Sequence, residues 1–206
     1  IELIKNKDLE NFRNNKLSDG LDVKSYNLKI QKKNLKELIK DCGLKFVYKN
    51  LCKKNIGNLK YYGKFKDKFL DNNQFYSIMW LYILKRILKK NKINLACEIG
   101  GGYGCFSEKL IKNFNCKYIL IDLPEANIIS AYYLSKHFPK KKIFIYNKKV
   151  KVIDKKIFNN FDIFIIPPWI KLKEIKIDLF LNTRSFMEMN KKIIKNYFKM
   201  INKNIK

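Results

Sequence analysis

The chain has 206 residues, 47% of them apolar, which suffices for one domain with a real core. Its richest apolar stretch, Phe75 to Leu88, is interrupted by Lys85 and Arg86, so nothing reaches the ~18 uninterrupted apolar residues that cross a bilayer, and the first residues, which mix Ile with Glu, Lys and Asn, do not read as a secretory leader. The net charge of +27 suggests a nucleic-acid partner, but among 45 basic residues only Arg13, Arg86 and Arg184 are arginine, and the lysines are spread without an arginine-rich arm, as AT-rich codon usage would spread them.

In chain order, residues 1–70 are rich in lysine and asparagine, with weak helical patterning (Leu35, Leu38, Ile39) and turn-prone segments at Ile56-Gly57-Asn58 and Tyr61-Tyr62-Gly63. They read as a mainly helical segment ahead of an α/β core over 71–206. A stronger helix begins after Asp71 or Asn72, either of which can cap it, and Tyr76, Trp80, Ile83, Leu84, Ile87 and Leu88 form a stripe expected to pack on a sheet. Asn91 ends that helix. The run from Leu95 reads Leu-Ala-Cys-Glu-Ile-Gly-Gly-Gly-Tyr-Gly: a strand closing on Glu98, then glycines at 100, 102 and 104. Phe106, Leu110, Ile111 and Phe114 give the next helix an apolar face, and a second strand, Tyr118 to Ile121, ends in Asp122. Pro124 and Glu125 suit a first helical turn, and that helix should reach His137 and Phe138 before Pro139. Three further strand-like runs follow, Ile143 to Tyr146, Phe161 to Ile166 and Ile177 to Leu181. The last two are too close for a full crossover helix, so one of them should be short or lie at an edge. Alternation of strand and helix predicts a parallel, doubly wound, Rossmann-like sheet.

A strand, a glycine turn, a helix and a second strand with an acidic tip form a nucleoside site. The glycines bring backbone close to a ligand, and Asp122 can accept both ribose hydroxyls. A dinucleotide fingerprint wants glycine at the sixth position from Gly100, where Cys105 stands instead. The acid at Glu98 would repel a pyrophosphate and suits the cationic end of S-adenosylmethionine. The pattern resembles the first motif of class I methyltransferases.

Two segments compete for the substrate side. Ile166-Pro167-Pro168-Trp169 is similar to the Asn/Asp-Pro-Pro-aromatic box of amino-methyltransferases, whose first residue accepts a hydrogen bond from the target amine. Ile166 cannot accept one, which leaves a rigid turn with Trp169 lining the cofactor pocket or the core. Asn182, Arg184, Ser185 and Glu188 cluster after a strand end. An arginine surviving in so lysine-biased a chain suggests a need for its planar fork, and Arg184 and Glu188, four apart, would share a helix face or pair as ions.

With Glu98-Ile-Gly-Gly-Gly-Tyr-Gly104, Asp122-Leu-Pro-Glu125, Tyr132-Tyr-Leu134 with Phe138-Pro139, Pro168-Trp169 and Asn182-Thr-Arg-Ser-Phe-Met-Glu-Met189, the chain resembles the sugar O-methyltransferase family of bacterial glycan and natural-product clusters over roughly residues 56–200. The resemblance implies S-adenosylmethionine held by Glu98, Gly100, Gly102, Tyr103, Gly104, Asp122 and Leu123, and a carbohydrate or nucleotide-sugar acceptor. It also implies a seven-stranded sheet. Only four or five strands can be placed and the first residue is Ile1, so the chain reads as a fragment that stops before the last strands.

Methyl transfer to an alcohol needs in-line alignment and a general base. Glu188 is the first candidate and His137, the only histidine, the second; Arg184 and Asn182 would orient the sugar. No histidine, cysteine or carboxylate cluster compels a metal. Cys42, Cys52, Cys97, Cys105 and Cys116 include no C-x-x-C pair, which predicts reduced thiols and a cytoplasmic protein. The competing readings are an RNA methyltransferase and a non-catalytic module of the same fold that binds glycan or nucleic acid.

Overall fold

From Leu95 onward the apolar runs form strands, and the five that build the main sheet all run in one direction. The computed structural model describes residues 6–14, 28–59, 62–89 and 91–205, so Tyr61 and parts of the segment expected over 1–70 lie outside the described residues. The chain divides into two compact units, Ile1–Lys90 and Asn91–Lys206, where the sequence reading divides it at 70/71.

In the first unit, a short helix α1 (Asn6–Glu10) and a 3-10 turn (Phe12–Asn14) precede α2 (Leu28–Cys42) and α3 (Leu44–Asn50). An antiparallel hairpin of β1 (Gly63–Phe65) and β2 (Lys68–Leu70) leads into α4 (Asn72–Leu88). Leu38, Cys42, Val47, Leu51, Leu70 and Ile78 make the core, with Phe75 and Met79 against them. The buried face of α4 is Gln74, Ser77, Ile78 and Leu81, one turn-spaced stripe; Tyr76, Ile83 and Ile87 of the expected stripe are exposed. Asp71 caps this helix as expected, its carboxylate accepting from the Gln74 amide at 2.8 Å, and it also pairs with Arg13 in the interior.

The second unit runs β3 (Leu95–Ile99), α5 (Cys105–Phe114), β4 (Lys117–Ile121), α6 (Pro124–His137), β5 (Ile143–Ile145), β6 (Val152–Ile153), α7 (Lys155–Asn159), β7 (Ile163–Ile166), β8 (Lys171–Leu172), β9 (Leu179–Leu181), a 3-10 turn (Ser185–Glu188) and α8 (Lys191–Asn204). The main sheet has the order β5-β7-β4-β3-β9, and β6 and β8 form a separate parallel pair. This is an α/β sheet flanked by helices and compatible with a Rossmann-like fold.

The order has one departure from the simplest doubly wound half, which would set the third strand beside the second. Here β7 takes that place and β5 lies outside it. Burial gives the reason: all four residues of β7 are buried, as an interior parallel strand requires, whereas Ile145 of β5 is 54% exposed and tolerates an edge. The expected short element is β9, three residues long at the opposite edge. Residues 167–178 reach it from β7 without a helix, passing through β8. Three strand spacings of about 4.8 Å need no more than an extended connection. The core of this unit is apolar on the α8 side, where Cys97, Ile99, Ile119, Ile121, Phe164 and Ile166 meet Tyr197.

Removing one partner of a buried ion pair leaves a charge without compensation, typically costing about 3–5 kcal/mol. Asp71→Ala should therefore lower unfolding stability by about that amount, the lost helix cap included, and Arg13→Met combined with Asp71→Leu should recover part of it. Denaturant unfolding of the three variants reads this directly.

Candidate functional site

In a parallel sheet every carboxyl end lies on one edge, and ligands bind where successive strands leave in opposite directions. Here that point is β3: β4 lies on one side of it and β9, reached much later in the chain, on the other. The segments beyond these ends are Gly100–Gly104 after β3, Asp122 after β4 and Asn182–Met189 after β9. The geometry thus brings together the glycine turn, the acidic tip and the polar cluster that the sequence singled out separately.

The turn after β3 alternates through the left-handed region, with φ of 73° at Gly100, 56° at Gly102 and 91° at Gly104. The three glycines serve different ends. A Cβ on Gly100 would lie 1.9 Å from Ser185 Oγ, so the turn after β9 rests directly on this residue. A Cβ on Gly104 would press on Leu134 of α6 at 3.2 Å. At Gly102 a Cβ would meet nothing within 4 Å. Gly102 therefore stands at an open tip, where bare backbone faces space a ligand can use.

Two segments hold that tip in place. The Gly100 amide donates to the Ile121 carbonyl at 2.8 Å, and the Gly102 amide donates to Asp122 Oδ2 at 2.7 Å. Asp122 Oδ1 accepts from the Leu123 amide at 2.8 Å, so both oxygens already hold backbone, and each keeps a lone pair for a further donor. Leu123 is 60% exposed beside it. Burial raises the Asp122 pKa above its ordinary value, its two amide donors oppose the rise, and the charge of Glu188 adds to it. Glu188 is thus an exposed carboxylate at the β9 end whose field reaches Asp122.

Glu98 is buried beneath the turn. Its Oε2 accepts from Ser107 at 2.6 Å and from Tyr118 at 2.7 Å, and a Cβ on Gly101 would lie 3.0 Å from that oxygen. Among the described residues Oε1 receives no hydrogen bond. Burial raises the Glu98 pKa from the ordinary 4.5, the two hydroxyl donors oppose the rise, and the charge of Asp122 adds to it. Glu98, Asp122 and Glu188 thus converge on one turn, and among the described residues no cation pairs with any of them.

The cluster after β9 is organised by Asn182. Its Nδ2 donates to the Ile99 carbonyl at 2.8 Å and to Ser185 Oγ at 2.6 Å, while its Oδ1 accepts from the Phe186 amide at 3.2 Å. Asn182 ties the turn to the end of β3, with its side chain spent on that task. Ser185–Glu188 is a 3-10 turn, with three residues per turn, so Arg184 and Glu188 do not share the α-helical face expected of them. No ion pair joins them among the described residues, and both are exposed.

His137 is not a surface side chain. It is largely buried, with Nδ1 3.9 Å from the Glu108 carboxylate, which also binds Lys109 at 2.5 Å. Its ring lies 4.5 Å from that of Tyr133, which is 5.0 Å from Tyr103 in the glycine turn. The ring of Tyr133 therefore stands between the imidazole and the turn's own Tyr103. Burial opposes the ionisation of Glu108, but Lys109, His137 and Lys112 outweigh it and hold its carboxyl below the ordinary range.

Beyond β7, Pro167 accepts from the Ile170 amide at 3.2 Å in a tight turn that leaves Trp169 56% exposed, its ring edge-on to Tyr146 at 6.1 Å. The turn neighbours Asp122, whose amide donates to the Ile166 carbonyl at 3.3 Å. Sequence reasoning missed the contact of Ser185 with Gly100 and the convergence of Glu188 on Asp122. Neither has a local signal, because the partners are more than 60 positions apart. All five cysteines are buried without a disulfide, and no metal-binding group occurs among the described residues. The chain matches no protein-family model and no curated protein.

Gly100→Ala should cost about 2–5 kcal/mol, the sum of overpacking and a Cβ in the left-handed region. Ser185→Gly in the same chain should recover much of it, whereas Gly102→Ala should cost only about 1–2 kcal/mol. Urea unfolding of the variants separates the two glycines.

Proposed function

We propose that this chain binds S-adenosylmethionine at the carboxyl edge of its sheet and transfers the methyl group to a hydroxyl of a carbohydrate or nucleotide sugar. The observation that carries the reading is the acid trio Glu98, Asp122 and Glu188, with which no described cation pairs, in a chain whose basic residues outnumber its acidic ones 45 to 18. The charge of Asp122 raises the proton affinity of Glu98 and the charge of Glu188 raises that of Asp122, an arrangement that favours a cation beside them. S-adenosylmethionine supplies two, an ammonium and a sulfonium.

The residues fit that group. Asp122 keeps lone pairs for the ribose hydroxyls, the open backbone at Gly102 admits the ligand, and the buried charge of Glu98 acts on a cation from beneath the turn. Leu123 and Trp169, exposed on the flanks of Asp122, can cover an adenine. On the β9 side, Glu188 would take the proton from an acceptor hydroxyl as the new bond forms, and Arg184 would orient the acceptor. Asn182 and Ser185 act through the backbone they hold. His137, engaged with Glu108, is not needed in this scheme.

Calorimetric titration of S-adenosylmethionine into the protein tests the proposal. Binding should weaken about 10–100-fold in Asp122→Asn, the loss expected of a hydrogen bond to a charged group, and also in Gly102→Ala. Affinity should also fall on acidification. The cation favours ionised carboxylates, and because Glu98 and Asp122 begin with raised pKa values, the loss should start above the ordinary carboxylate range. The free protein should move oppositely, gaining stability as those two groups protonate. A folded protein that binds no S-adenosylmethionine at neutral pH contradicts the proposal.

A further inference from the structure

Helix α8 carries Lys191, Lys195, Lys199 and Lys203 at intervals of four residues, all exposed, with Lys192 beside the first. Like charges four apart on a helix repel. Lys191 and Lys192 also occupy the first turn, where the helix dipole disfavours cations, and no acid stands there to offset them. No acidic residue occurs anywhere in α8, and among the described residues no carboxylate pairs with any of the four lysines. By contrast, the lysine-rich α2 carries Glu37 and Asp41, with Lys33 3.8 Å from Glu37. The row on α8 is thus a uniformly positive stripe that none of the described residues compensates.

Its course is fixed by the fold. α8 starts just after the Ser185–Glu188 turn at the carboxyl edge, and its other end returns to the start of β9, where the Ile177 amide donates to the Asn204 carbonyl at 2.8 Å. Lys176 extends the stripe there, its ammonium donating to the Lys203 carbonyl at 3.2 Å. The charges therefore repeat at about 6 Å over about 18 Å, from beside Arg184 and Glu188 down the outside of the sheet.

We infer that the α8 stripe is the binding track for a polyanionic glycan, a saccharide chain with repeating phosphate or carboxylate groups, whose end enters the site beside Glu188. The choice of glycan rests on the proposed sugar-hydroxyl acceptor. A lipid surface fits poorly, because Tyr197 is buried and Met200 and Ile201 pack against the core, which leaves only Ile193 and Phe198 as exposed apolar side chains among the lysines of α8. A single-stranded nucleic acid would want repeated stacking platforms, and the stripe has one flanking ring, Phe198.

The test is fluorescence titration of labelled poly(ribitol phosphate) and polygalacturonate, with dextran and poly(U) as comparisons, over a range of salt. The wild type should bind an anionic glycan, and which of the two it prefers assigns the anion. Lys→Gln at 191, 195, 199 and 203 together should weaken binding at least tenfold and reduce the log–log salt slope by about 3, near one unit per neutralised contact. The same change at Lys32, Lys36, Lys40 and Lys45 removes equal charge and should alter affinity less than twofold. Equal losses in the two variants, no binding of either anionic glycan, or tighter binding of poly(U) through the same lysines would each overturn the inference. S-adenosylmethionine binding, measured on both variants, should be unchanged. Loss of cofactor binding in the wild type with the glycan result intact would defeat the proposed activity and not the track.

Discussion

The site depends on repulsion between like charges held close together. Glu98, Asp122 and Glu188 come from three different strand ends, and nothing basic among the described residues neutralises them. In a chain this rich in lysine, cations are the easiest groups to supply, yet none of the described residues places one here. Glu98 and Asp122 are held by groups that do not cancel their charge: Ser107 and Tyr118 for Glu98, and backbone amides for Asp122. Hydrogen bonds of this kind fix position and temper the desolvation cost while leaving a field that an incoming cation can relieve.

That arrangement rests on the turn after β3. Ser185 sits where a Gly100 side chain would be, and Asn182 ties the same turn to the Ile99 carbonyl, so the β9 end is packed onto the β3 end. The Gly102 amide bonds Asp122, which joins the β4 end to the same point. A change in any of the three segments therefore moves the other two. The strand order makes this possible, since β3 lies between β4 and β9, and a chain that paired β9 elsewhere would scatter the acids.

Much of this was legible in the sequence because it is local. Glycines at 100, 102 and 104, an apolar run ending in Asp122 and Pro124 opening a helix each announce a conformation within a few residues. What was not legible depends on contacts across the sheet. Ile143–Ile145 and Ile163–Ile166 are alike in composition, and only burial on both faces decides that the second is interior. The stripe expected of α4 failed because the helix is apolar on several sides, so periodicity could not choose between Ile78 and Ile83. Arg184 and Glu188 looked like helix neighbours because the sequence does not distinguish a 3-10 turn from the first turn of an α-helix. Glu98 was read as facing a ligand, and its position beneath Gly101, with one oxygen bonded and one not, required coordinates.

The central claim is that the ligand lies between the ends of β3, β4 and β9. Amide chemical-shift mapping tests it most directly, with S-adenosylhomocysteine titrated into isotopically labelled protein. The account predicts that the largest shifts fall on Gly100, Gly102, Gly104, Asp122 and Leu123, with smaller ones at Ser185 and Glu188. Shifts concentrated in another part of the chain, or none at saturating ligand, would contradict it.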